Sequence, residues 1–494
     1  MNHLSRRSLI LGGLGIAATG TLAACSEATP TSIPRTFPTP SASATTAGQR
    51  VTTADLIAKR TTLDLGGPKV ATWAYGDTAP GPLIRATAGD LVRVTVDNQL
   101  PADTSIHWHG IALDNAADGV PGMTQEPIGP STKYTYEFVA PDPGTYFYHP
   151  HSGVQLDRGL YAALIVEDPQ EPGGYDLEYV VVLDDWVDGT GRTPDDVLKA
   201  LIAKGGSATS GGMGGMGGMD HGSMGMGAGT APFGDAGDVV YPHYLINGRV
   251  PAAPDVLEAK PGQKVRLRII NAASDTIFTL ALGGHRMTVT HSDGFPVQPT
   301  ETGAFYIGMG ERYDAVVTLR DGVFPLVAAP FGKQGRAMAL IRTGAGTAPP
   351  STARPDELAG PVLLGTALVA AESARLAKRD ADASEAVQLN GQMAPYQWGI
   401  NGAPFGENEP IMITKGQRVR LDLANMTMMT HPFHIHGHTF GLVGSGLRKD
   451  TVLLRPMESI AVELQADNPG DWAAHCHNIY HAEAGMMIGL NYRA

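Results

Sequence analysis

Ala88-Gly89-Asp90-Leu91-Val92-Arg93-Val94-Thr95-Val96 sets a glycine turn before a run in which apolar and polar side chains alternate. Period-two alternation turns one face of an extended strand to a core and the other to solvent. The pattern returns as Pro261-Gly262-Gln263-Lys264-Val265-Arg266-Leu267-Arg268-Ile269 and as Lys415-Gly416-Gln417-Arg418-Val419-Arg420-Leu421-Asp422-Leu423. Copies spaced by roughly 150 to 170 residues predict an all-β chain of three tandem β-sandwiches or Greek-key barrels. We place these domains at 49–170, 171–345 and 360–494, with Gly344-Ala345-Gly346-Thr347-Ala348-Pro349-Pro350-Ser351 marking the last boundary.

Composition agrees with that class. The chain has 494 residues, 17% charged and 43% hydrophobic, with 62 Gly and 36 Pro, which suits loop-rich β-structure and excludes coiled coil, collagen and wholesale disorder. A formal net charge of −13 argues against nucleic acid as a partner, because phosphate neutralisation needs clustered Lys and Arg. A neutral or cationic small reductant fits better. Only Cys25 and Cys476 are present, in such different surroundings that each is read separately rather than as a disulfide.

A second echo links only the outer copies: Pro143-Gly144-Thr145-Tyr146-Phe147-Tyr148-His149 and Pro469-Gly470-Asp471-Trp472-Ala473-Ala474-His475. The middle copy reads Asp321-Gly322-Val323-Phe324-Pro325-Leu326-Val327, where apolar residues stand in place of histidine. Ten of the 16 histidines fall in four short motifs: His107-Trp108-His109, His149-Pro150-His151, His431-Pro432-Phe433-His434-Ile435-His436, and His475-Cys476-His477 with His481. On a strand, residues i and i+2 share a face, so each His-x-His aims two imidazoles at one point. Four such pairs predict a polynuclear metal site between the first and third domains. The same alternation turns Cys476 to the other side, where with His431, His481 and Met486 it offers two imidazoles, a thiolate and a weak thioether, the ligand set of blue copper. A closed tetrahedral zinc site does not account for this pattern.

All four motifs, in order over residues 50 to 494, resemble those of three-domain multicopper oxidases of the laccase and bacterial copper-efflux cuprous oxidase type. The resemblance implies cupredoxin-like domains and four copper ions. His431, Cys476, His481 and Met486 would hold type 1 copper, and His107 and His434 type 2 copper. The type 3 pair would divide into His109, His149 and His477 on one ion and His151, His436 and His475 on the other. It also implies that the central domain carries no copper and acts as a spacer. Substrate electrons would pass from Cys476 to its neighbouring histidines and on to O2, which is reduced to water. Proton delivery calls for carboxylates; Asp118 matches the family's acid near type 2 copper. Several bacterial relatives carry Glu directly after the last type 1 histidine, where this chain has Ala482, which makes Glu483 the candidate for that role.

The electron donor is read from methionines. Met213, Met216, Met219, Met224 and Met226 lie in a Gly-rich segment, 205–229, expected to be a mobile insertion of the second domain. Thioethers select Cu(I), although a linker with adaptable apolar side chains is the plainer reading. Met429 stands two residues before His431, where copper-efflux oxidases bind substrate Cu(I), but their accompanying Asp is Thr427 here. The expected function is therefore oxidation of Cu(I), with phenols and aromatic amines as further donors, in copper detoxification. A laccase-like phenol oxidase with a copper-capturing Met segment is the first alternative; a copper-storage or envelope scaffold protein without oxidase activity is the second. At the N-terminus, Ser5-Arg6-Arg7-Ser8 precedes a short apolar run ending Leu22-Ala23-Ala24-Cys25, which resembles a twin-arginine export signal with a lipoprotein processing site. Cys25 would be lipidated and residues 26–48 would form a disordered tether. The expected protein is a monomer in the cell envelope, touching the membrane through its lipid alone.

Overall fold

The three repeated segments become strands at equivalent places in three sheets. In the computed structural model, which describes residues 48–171, 173–204 and 232–493, they are Leu91–Asn98, Lys264–Asn271 and Arg418–Asn425. Each pairs in parallel with an earlier strand, respectively Val51–Asp64, Leu177–Trp186 and Ala383–Gln392. Each pairs antiparallel with a later one, respectively Thr132–Val139, Arg312–Thr318 and Ser459–Gln465. Their inward side chains, among them Val92, Val94 and Val96 or Val419, Leu421 and Leu423, are fully buried.

A second sheet covers each of these faces. Its centre is Gly144–His149 in the first domain, Val323–Pro330 in the second and Asp471–Cys476 in the third, the segments of the second sequence echo. The short strands His107–His109 and His431–Ile435 lie beside the first and third of these centres. The expected all-β class with three two-sheet domains is what the described residues form; their only α-helices are Pro194–Lys204 and Ile479–Glu483. No helix among the described residues is long and apolar enough to cross a membrane.

Each repeat strand ends in a buried asparagine. Asn98, Asn271 and Asn425 donate from Nδ2 to the carbonyls of Ile128, Ile307 and Leu454 at 2.7, 3.0 and 3.0 Å. Each Oδ1 accepts the N–H two residues on, from Leu100, Ala273 and Thr427. A buried amide satisfied in this way ties the strand end to a later segment of its domain, whereas an unpaired one would cost about 1–3 kcal/mol.

One boundary differs from the sequence reading. Val362–Leu363, assigned there to the third domain, pairs in parallel with Ala304 and Phe305 of the second. The third domain's first strand begins at Ala383. The chain between them lacks alternation and runs as short 3-10 turns, Gly365–Ala367 and Glu372–Ala374, so no periodic signal locates the crossing.

Candidate metal centre

Register brings the histidines together. His107 is paired with His149 across the first domain's strands, and His434 with His475 across the third's. Turns then set the carboxylates. A Cβ at Gly119 would meet Ile106 O at 1.7 Å, so only glycine lets the Asp118-Gly119 turn lie on the backbone just before His107.

The eight imidazoles of the four pairs converge as three groups of potential ligand atoms, each within 4.8 Å: His107, His109 and His434; His109, His149 and His477; and His151, His436 and His475. His107 Nε2 and His434 Nε2 face one another at 3.5 Å. His475 Nε2 lies 3.0 Å from His436 Nε2 and 3.4 Å from His151 Nε2. The opposite nitrogens are held from outside. Asp118 carboxylate oxygens lie 2.9 Å from His436 Nδ1 and 3.2 Å from His107 Nδ1, and backbone carbonyls take His149 Nδ1 and His475 Nδ1. Such outer partners fix ring orientation in metal sites.

Burial, followed by the neighbouring imidazoles, pushes His149, His151, His436 and His477 well below the ordinary histidine range. The same causes bring His475 down to about 3. The rings are therefore neutral and carry lone pairs. Among the described residues, His109 Nδ1, His149 Nε2 and both ring nitrogens of His477 are buried without a hydrogen-bond partner. All three residues belong to one group. Buried polar atoms left unpaired are expensive, and an ion accepting those lone pairs removes the penalty.

On the other side of the Asp471–Cys476 strand, Cys476 Sγ lies 3.5 Å from His431 Nδ1 and 3.7 Å from His481 Nδ1, and these two nitrogens are 3.1 Å apart. Met486 is fully buried in the same loop, and its carbonyl accepts the Cys476 N–H at 3.0 Å. His431 Nε2 is held by Thr427 Oγ1 at 2.8 Å and His481 Nε2 by Asp238 Oδ2 at 2.9 Å. Burial opposes charge on His481, but Asp238 and then Cys476 outweigh it and lift the ring to about 10. Trp398 packs on His481 with ring centroids 4.0 Å apart. Two imidazoles and a thiolate, with a thioether alongside, form a donor set that suits copper.

The remaining candidates fall in different places. Glu483 stands exposed at a cavity of about 20 Å³, room for about one water, lined also by His149, His151, His475 and His477. Although the side chain reaches solvent, protein crowding around its carboxyl strips away much of the water that would solvate the charge, and this, then Asp195, raises it to about 7. Met429 is buried beneath Gly234 and Asp235, with Met426 and Met428 exposed nearby. Cys25, Met213, Met216, Met219, Met224 and Met226 lie outside the described residues. The sequence reading missed Asp238 and Asp450, and it gave Thr427 no role beyond replacing an acid. The central domain, expected to be a spacer, reaches the cluster: a Cβ on Gly310 would lie 2.9 Å from His477 Cδ2 and 3.0 Å from His109 Cε1.

Family models described as multicopper oxidase match residues 57–171, 178–346 and 378–494. The chain is 48% identical to multicopper oxidase MmcO of Mycobacterium tuberculosis over 99% of its own length and 97% of the relative's. It is 27% identical to copper resistance protein A of Escherichia coli, covering 88% of this chain and 91% of that one. Among solved structures, Fet3p, described as a multicopper oxidase that functions in iron import, superposes with a TM-score of 0.75 at 20% identity, over 90% of each chain. A multicopper oxidase from Pseudomonas thermotolerans does so with 0.67 at 27% identity, over 90% of this chain and 100% of that one. With its two separate donor sets and three matched segments, the chain belongs to the multicopper oxidase family.

Proposed function

We propose that this enzyme oxidises Cu(I), and phenols or aromatic amines as further donors, with O2 as acceptor, and that it serves copper detoxification in the cell envelope. The observation that carries the oxidase reading is the run His475-Cys476-His477 at the end of the strand Asp471–Cys476, which puts the thiol between two imidazoles of the convergent cluster. His431, Cys476, His481 and Met486 would hold type 1 copper, and His107 and His434 type 2 copper. His109, His149 and His477, then His151, His436 and His475, would hold the type 3 pair. Copper ions held by these residues would supply one-electron uptake at the first site and four-electron reduction of O2 to water at the other three.

The chain's own residues do the rest. Cys476 links the two sites through its backbone, while Trp398, Asp238 and Thr427 keep both mononuclear imidazoles in place and dry. Asp118 orients His107 and His436 and is positioned to pass protons at its carboxylate. Glu483, held near neutrality beside the one-water cavity, would take protons from solvent and release them inward. Relatives named copper resistance protein, and Met426, Met428 and Met429 preceding His431, support Cu(I) as donor. Relatives named laccase support the phenol oxidase as second reading. Export by the twin-arginine signal and anchoring through Cys25 complete the proposal.

Oxygen uptake by the copper-loaded full chain, with Cu(I) and with a phenol as donors, tests it. Four Cu(I) consumed per O2 is the expected stoichiometry. Copper-loaded protein that consumes no O2 with either donor would establish the storage or scaffold alternative. Deleting residues 205–229 should depress Cu(I) turnover and spare phenol turnover; unchanged Cu(I) turnover would remove the Met segment from the donor path.

A further inference from the structure

The central domain holds none of the proposed ligands, yet Arg312 from it is wholly buried next to the cluster. Its Nη1 and Nη2 donate to the two carboxylate oxygens of Asp450, in the third domain, at 2.7 and 2.6 Å. Its Nε donates to Thr145 O of the first domain at 3.0 Å, and Nη1 also donates to Gly310 O at 3.0 Å. One guanidinium therefore joins all three domains. A planar fork with fixed donor directions can hold a carboxylate at a set angle, which a lysine cannot.

Asp450 is the side chain so held, and it faces the cluster. Its Oδ1 lies 3.2 Å from His109 Nε2 and 3.4 Å from His434 Nδ1. Thr451 Oγ1 donates to that same oxygen at 2.8 Å and lies 3.1 Å from each of those two nitrogens. The two rings stack 3.8 Å apart, inclined by 14°. Gly110, directly after His109, leaves the space the ion pair fills: a Cβ there would meet Arg312 Nη2 at 2.4 Å and Asp450 Oδ2 at 2.7 Å. With the outer nitrogen of His109 occupied, its unpaired Nδ1 is the atom left to point inward.

We propose that Arg312 is a positioning residue of the oxygen-reducing centre: by clamping Asp450 against His109 and His434 it sets the angles of one type 3 and one type 2 imidazole. The central domain is thereby a working part of a centre to which it gives no ligand. This rests on the copper assignment above.

The test compares wild type, Arg312→Lys and Arg266→Lys, all copper-loaded. Arg266 makes a nearly as buried pair with Asp314, which Arg268 also holds, and none of its hydrogen-bond partners is a cluster imidazole, so its variant reports the weakening of a buried ion-pair group away from the cluster. Readouts are the type 2 electron paramagnetic resonance parameters, copper lost to a chelator over time, and the type 1 absorption as internal control. Arg312→Lys is expected to keep the type 1 band, shift the type 2 hyperfine splitting and lose cluster copper at least ~10-fold faster. Arg266→Lys should lower the melting temperature without moving the type 2 signal. Unchanged type 2 parameters and copper retention in folded Arg312→Lys, or the same change in Arg266→Lys, would overturn the proposal. Should Arg312→Lys fail to fold, Asp450→Asn carries the same readouts, and an unaltered type 2 signal there is equally fatal. Failure of the copper assignment itself would show separately, as a wild type without any type 2 signal.

Discussion

Adding one methyl group at Gly119 would push a carbon to 1.7 Å from Ile106 O, at a residue whose φ is +81°. Neither the turn nor the strand can yield without moving Asp118 or His107. We expect Gly119→Ala to lose more than about 2 kcal/mol and to bind less copper at the type 2 position, measured by melting and by metal analysis. A variant with wild-type melting and full copper would show that the turn has slack. Cys476→Ser should remove the thiolate band near about 600 nm while the eight cluster histidines still take up three ions; a surviving band would place the thiolate elsewhere. Eight of the twelve proposed copper ligands were legible as a converging set because His-x-His spacing on a strand fixes their direction, while the assignment of His431, Cys476, His481 and Met486 to type 1 copper came with the family resemblance. Asp238, Asp450 and Arg312 were not. Each meets its partner only after distant segments pack, and a lone acid in a loop or a lone arginine at a strand end carries no spacing to read.

The repeat strands were legible as elements because their apolar side chains alternate, and each took the place its copies take. Their terminal asparagines stand at the same offset in all three copies, but their role depends on carbonyls about 30 residues onward, which alternation does not reveal. Replacing Asn98, Asn271 or Asn425 by Ala should each cost about 1–3 kcal/mol. Asn425 also ties down Met429 O and Thr427, which contacts His431, so Asn425→Ala alone should shift the type 1 absorption. Equal spectra in the three variants would disprove that link.

At the scale of the molecule, the first two domains meet over a group of buried acids. Burial pushes Asp185 up to about 6, against the pull of Lys333. Unfolded, the group titrates near 3.9, so the folded state binds its proton more tightly. The stability this adds is complete below about pH 4 and lost as pH rises through 6, on the order of 3 kcal/mol. Asp185→Asn should therefore gain melting temperature relative to wild type between pH 4 and 7; a difference constant with pH would refute it. Removing copper should lower the melting temperature by on the order of 10 °C, restored on reloading, because ions that bind only the folded chain stabilise it by mass action. Equal melting of the two forms would mean that the histidines are at rest without metal. The three-domain plan was read correctly, yet the crossing at Val362–Leu363 was misassigned because a two-residue strand has no period.

The three converging donors of the mononuclear group, His431, Cys476 and His481, all come from His431 onward, and Cys476 is pinned through the carbonyl of Met486 beside the last described strand, Met487–Tyr492. A chain that stopped before that point would lack the thiolate and the second imidazole of this donor set. A blue colour would thus report that the third domain had been made and folded, and a chain cut short of Cys476 would offer no entry port for electrons to the histidine cluster.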